Sequence, residues 1–206
     1  MKKGLIIIGF VIVVVCVYFL FFNNSDENKG EEGPKMQALV QGKNSEAFNK
    51  PFNAMLDGYF ALQAALVNWD TSAVDSAAKT LVSLSGKVLY DELKADTTII
   101  ATAKSFSESV SAEALGIAGE PTIEGKRRSF YTLSENLYSL LRTVHYDQQI
   151  IYHDKCPMAF NDSEEAYWVS NSKEIVNPYL GKKHPRYAGG MVGCGSVEDS
   201  IDYRNK

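Results

Sequence analysis

The 206 residues carry 25 acidic and 21 basic side chains, a formal net charge of −4, so the chain has no basic footprint for nucleic acid. No glycine-rich phosphate loop, nucleophile elbow or zinc-protease helix motif occurs along it, and no acid–base pair or nucleophilic constellation stands out, which argues against an enzyme. Once an N-terminal leader and tether are set apart, about 160 residues remain, the size of one ordinary domain.

The chain opens with Met1-Lys2-Lys3 and then an apolar run over 5–22. At about eighteen residues this run reaches the lower limit for one membrane span. A basic head before an apolar middle is also the pattern of a secretory signal. The exit, Tyr18-Phe19-Leu20-Phe21-Phe22, offers no small residues before a cut, and Cys16 follows three valines where a lipoprotein signal wants a small residue. The sequence therefore predicts an uncleaved anchor over 1–22, with cleavage and release to the periplasm as the alternative. Lys2 and Lys3 should stay in the cytoplasm, which puts all that follows on the outer side of the inner membrane. Residues 23–44 are rich in Asn, Glu, Gly and Lys and read as a flexible linker with little to bury.

Residues 45–149 read as four amphipathic helices. In the first, about 46–69, Phe52, Met55, Leu56, Tyr59, Leu62, Leu66 and Trp69 recur at helical spacing. Asp70-Thr71-Ser72 then supplies a break and a cap for a second stretch reaching Tyr90, with Val74, Ala77, Ala78, Leu81 and Val82 inward. A third spans about 96–115, with Ile100, Ala103, Phe106 and Val110 inward, and Gly116, Gly119 and Pro121 end it. The fourth, about 123–146, carries Phe130, Leu133, Leu137, Leu140, Leu141 and Val144. Short connections predict antiparallel neighbours. Lys126-Arg127-Arg128 is expected to be a solvated helix turn, and His145 a structural or solvent-facing residue.

From Ile150 the helical period stops. Ala166-Tyr167-Trp168-Val169 reads as a short strand, and Asn177-Pro178-Tyr179-Leu180-Gly181 and Gly189-Gly190 as turns. Residues 150–206 are too few for a core of their own, so they should pack on one end of the helices through Phe160, Trp168 and Tyr179. The predicted fold class is mainly α: an up-down four-helix bundle with a small, irregular, short-strand C-terminal tail packed on it in one domain.

Two of the three cysteines lie in that tail, each within three residues of a methionine, as Cys156-Pro157-Met158 and Met191-Val192-Gly193-Cys194. Thiolate and thioether donors together suit a soft ion, above all cuprous copper. If the two loops meet, Cys156, Met158, Met191 and Cys194 form a four-sulfur cluster, with His153, three residues before Cys156, as a nitrogen donor. Zinc fits less well, because two of the four sulfurs are thioethers. An oxidising compartment allows a second reading, a Cys156–Cys194 disulfide that staples the tail, with Met158 and Met191 as packing residues.

The run Tyr152-His153-Asp154-Lys155-Cys156-Pro157-Met158-Ala159, then Trp168, Ile175-Val176-Asn177-Pro178-Tyr179-Leu180-Gly181 and Met191-Val192-Gly193-Cys194-Gly195, resembles a bacterial uncharacterised-domain family. That family occurs alone behind a signal segment or at the C-terminal end of membrane-fusion proteins of heavy-metal efflux pumps. The resemblance spans about 52–201; it is specific in the tail motifs and generic in the helices. It implies copper or related metal handling in the envelope, with a membrane-fusion or transport protein of an efflux system as partner, and so favours the metal reading. Two departures stand out: Leu180 replaces an aromatic residue, and residues 182–190, with His184 among them, intervene before Met191.

Overall fold

The structure, a computed structural model, describes residues 39 and 41–205. The expected anchor, Cys16 and most of the expected linker lie outside the described residues. Among the described ones, no helix is long and apolar enough to cross a membrane. At the linker's end, Gly42 N–H donates to Lys94 O at 2.6 Å and the Asn44 amide donates to Val144 O at 2.9 Å, so this stretch is tied to the helical body.

Four helices follow, three of them started by a side chain that caps the first turn. Helix α1 (Glu46–Asn68) begins where the Ser45 hydroxyl accepts the Phe48 N–H, with Glu46 in the first turn. It ends at Trp69 in the left-handed conformation, φ 58°. Helix α2 (Thr71–Ser85) starts on Asp70, whose carboxylate accepts the Ala73 N–H at 2.9 Å. After a 3-10 turn at Tyr90–Glu92 comes α3 (Thr97–Gly119), longer than its serine and threonine content suggests. Helix α4 (Ile123–Thr143) starts on Thr122, which accepts the Gly125 N–H at 3.1 Å. Consecutive helices pack on one another. The first and last also meet: Tyr59 stacks on Phe130 with centroids 5.2 Å apart, and its hydroxyl lies 2.8 Å from that of Ser134. Phe52, Met55, Leu62, Leu66, Leu133 and Leu140 are all buried in the shared core, as their spacing predicts.

The tail holds more regular structure than the one short strand expected. It forms a three-stranded antiparallel sheet, order β2-β1-β3, from β1 (Ile151–Phe160), β2 (Glu164–Ser170) and β3 (Ser196–Ile201). β1 is central although it contains Pro157, which cannot donate to a ladder. The pairing of β1 with β2 is regular from Tyr152–Ser170 to Cys156–Ala166 and then shifts between Cys156 and Phe160, so the proline falls in the irregularity.

Strand alternation gives the sheet two faces. One packs on the helices: Tyr131 and Tyr138 of α4 stack on Tyr167 and His153, and Tyr59 accepts the Val169 N–H at 3.1 Å. The other, with Asp154, Cys156, Ala166 and Trp168, lies under the segment that runs from Ile175 to Gly195.

That covering segment is fastened to the helices by the basic run. Lys126 and Arg127 are each only 3% exposed, which corrects the expectation of a solvated turn; Arg128 alone is exposed. Lys126 pairs with Asp75 at 2.6 Å and donates to Ile117 O at 2.8 Å. Arg127 donates to Pro178 O at 3.0 Å and to Leu66 O, at the C-terminal end of α1, at 3.1 Å, and lies 3.7 Å from the centre of the Trp69 ring. Burial pulls its guanidinium down to about 10, and the negative end of α1 compensates its charge. Trp69 in turn donates to Leu180 O at 2.9 Å. Gly181, at φ +56°, brings the main chain so close that a Cβ there would lie 2.6 Å from Val67 O.

Candidate functional site

Cys156 sits in the central strand, fully buried, on the opposite face from His153. Cys194 closes a turn in which its N–H donates to Met191 O at 3.0 Å, and it is half-buried. Next to it in the chain, Gly195 lies against Lys155 O and Ser196 pairs with Lys155, so Cys194 is brought beside Cys156; no disulfide joins the two. The two sequence-distant loops thus do fold together at their cysteines.

Asn177 is the residue that joins them. It is fully buried, and its amide donates to Cys194 O at 2.7 Å. Its carbonyl oxygen accepts the N–H groups of Tyr179 and Leu180 at 2.8 and 3.0 Å, an Asx turn, and its own N–H donates to Val192 O at 2.8 Å. One side chain therefore shapes the Asn-Pro-Tyr turn and holds the Met191–Cys194 turn. Gly195 completes the closure. At φ +143°, a Cβ on it would meet Lys155 O at 2.5 Å and the Trp168 ring at 3.1 Å, so only glycine lets the chain lie this close to β1.

Burial pushes the Cys156 thiol up, and hydrogen bonds from the Met158 N–H and Asn177 partly oppose this. Beside it on the same face stands Asp154, also fully buried. Neither carboxylate oxygen has a hydrogen-bond partner, and the nearby Ser170 hydroxyl spends its proton on Ser172 O at 2.8 Å. Desolvation raises the Asp154 carboxyl from 3.8 to about 6.

The other expected ligands stand as follows. Met158 and Met191 are half-buried and pack against the edge of the hydrophobic core. His153 belongs to the opposite face of β1 from Cys156, because an odd spacing within a regular strand reverses the side. Its ring lies between Tyr138, centroids 3.9 Å apart, and Tyr167 at 5.0 Å, and its Nε2 is 2.7 Å from a Glu135 carboxylate oxygen. His184 stacks on Tyr187 at 4.9 Å, and its Nδ1 accepts the Arg186 N–H at 3.2 Å. Among the described residues no three His, Cys, Asp or Glu side chains gather as a metal site. What the fold assembles is a two-thiol site with thioethers on both contributing loops.

Sequence reasoning missed the roles of Asn177, Asp154, Gly195 and Glu135. The Asx turn was signalled by asparagine before proline. Asp154 was signalled only through the alternation of β1, which was not recognised as a strand.

Residues 55–149 match the model of a family described as protein of unknown function (DUF3347). The match covers the helices from the middle of α1 onward and stops short of β1. No curated protein and no solved structure matches the chain.

Proposed function

We propose that this protein is a membrane-anchored, envelope-facing module that captures cuprous copper, or a similarly soft ion, on Cys156 and Cys194 and passes it to a partner in metal efflux. The observation that carries this reading is the approach of two free thiols from distant parts of the chain, one of them wholly buried. Cuprous copper accepts two thiolates at low coordination number, and thioethers can add to them. Met158 and Met191, in the same two loops, are the thioethers available. His153, held by Glu135 and two tyrosine rings, serves the docking of the sheet on α4 in this reading. Because the ligands must lose their protons, capture releases protons and weakens as pH falls. The four helices, as an up-down bundle, and residues 5–22, as an inner-membrane anchor, keep the site at the membrane surface, where a membrane-fusion or transport protein can take the ion.

The test uses the full chain with Cys16→Ser, reduced and loaded anaerobically with cuprous copper. One ion per chain is expected, and the Cys156→Ser/Cys194→Ser variant should lose it. An unchanged copper content in that variant rejects the proposal.

The same approach favours a second reading, a structural disulfide that staples the tail. Closing the loop between Cys156 and Cys194 would constrain the unfolded chain by roughly 3–4 kcal/mol. The Cys16→Ser chain, alkylated as it is extracted from the envelope, separates the two. Two alkylated thiols support the metal site; none, with a mass gain of two alkyl groups after reduction, supports the staple.

A further inference from the structure

We infer that Cys156 and Cys194 form an ordered dithiol switch, in which Cys194 meets an incoming disulfide and Cys156 resolves it. The order of the thiols stands on their geometry; its consequence for metal rests on the function proposed above.

Cys156 and Cys194 are neighbours across the Lys155–Ser196 pairing but are unequally accessible. Cys156 has no exposed surface and lies among Ala166, Trp168 and Asn177, all buried. Cys194 is half-buried in a turn whose Gly189, Gly190 and Gly193 face solvent, and a Cβ on Gly193 would have nothing within 4 Å. Access governs which thiol a disulfide attacks. An incoming disulfide, whether a small molecule or the oxidised site of a thiol–disulfide exchange protein, can reach Cys194 only.

The chemistry then runs in two displacements. The Cys194 thiolate attacks one sulfur of R–S–S–R; that bond breaks, one RS⁻ leaves, and a mixed disulfide forms on Cys194. The Cys156 thiolate, held beside Cys194 by the Lys155–Ser196 pairing, attacks the Cys194 sulfur; the bond to R breaks, the second RS⁻ leaves with its electron pair, and the Cys156–Cys194 bond forms. Two electrons pass from the pair to the external disulfide, and the two thiol protons go to the two departing thiolates. Once bonded, neither sulfur is a thiolate, and the site is closed to a soft ion until it is reduced.

The experiment treats the reduced full chain, Cys16→Ser, with an aromatic disulfide whose released thiolate is coloured. Two coloured thiolates per chain and no retained adduct are expected. Cys156→Ser should release one and keep the adduct on Cys194, and Cys194→Ser should react more slowly by about tenfold or more. Acid quenching of the chain that keeps both cysteines, at early times, followed by peptide mapping, gives the same answer without relying on either variant; the first adduct should lie on Cys194. An early adduct on Cys156, or a stable single adduct with both cysteines present, overturns the order. Copper loading of the reduced and oxidised chains then tests the gate: reduced protein should bind and oxidised protein should not. Equal loading overturns the gate. If the reduced chain binds no copper, the metal reading fails while the thiol order stands on its own result.

Discussion

Gly195→Ala should destabilise the protein by about 3–5 kcal/mol, combining a backbone conformation that L residues avoid with the cost of an overpacked contact. The group in the way is Lys155 O, 2.5 Å from where the new methyl would stand, and it belongs to the central strand, paired on one side with Tyr167 and on the other with Ser196. It cannot retreat without loosening both ladders, and the Trp168 ring blocks the other direction. The chain must therefore lift at Gly195, which draws Cys194 away from Cys156. Chemical denaturation should report the loss of stability. The aromatic-disulfide assay should report the separation, with the first coloured thiolate released normally and the second delayed. A variant that keeps wild-type stability would refute the close packing of this turn on β1.

Asp154→Asn should have the opposite sign at neutral pH. The carboxyl is raised from 3.8 to about 6 because burial disfavours its charge. The folded state thus holds the proton more tightly than the unfolded chain does. The stability linked to that proton is fully present below about pH 4 and lost as pH rises through about 6. The displacement is worth about 3 kcal/mol at most. The asparagine variant carries no such proton, so it should be more stable than wild type at about pH 8 and should lose that advantage at about pH 4. Glu164, Glu165 and Asp199, all held low by hydrogen bonds, act on the acid side in both proteins and cancel from the difference. Unfolding free energies of the two proteins at both pH values decide it; a difference that does not change with pH means that the carboxyl is solvated.

The helices were legible because their apolar residues recur at 3.6-residue spacing and their starts carry Ser45, Asp70 and Thr122. Only α3 ran past its expected end, since Ala114 and Ile117 continue the buried stripe through glycines that read as breakers. The sheet was not legible. Ile151–Phe160 holds His153, Asp154, Lys155 and Pro157, a composition that argues against a central strand, and it is a strand because α4 covers one face and the tail the other. The two cysteine–methionine motifs are legible as motifs, whereas the neighbours of those cysteines are not. Their placement depends on the parity of β1, and parity cannot be read until the strand is known. The basic run was misjudged for a related reason: Arg127 is buried by carbonyls from Leu66 and Pro178, one of them contributed by a segment with no periodic signal.

β1 is the middle strand, yet both of its partners come after it in the chain, and Cys194 reaches Cys156 only when the segment leading to β3 has folded back. Helical contacts between chain neighbours form early, while pairings across long loops wait for closure. Loop closure therefore predicts that the sulfur pair assembles after the helices. Until then Cys156 lies open on an incomplete sheet. Whether it first meets metal, oxidant or Cys194 is decided during maturation, so the fate of the site depends on what surrounds the newly made chain as well as on the finished fold.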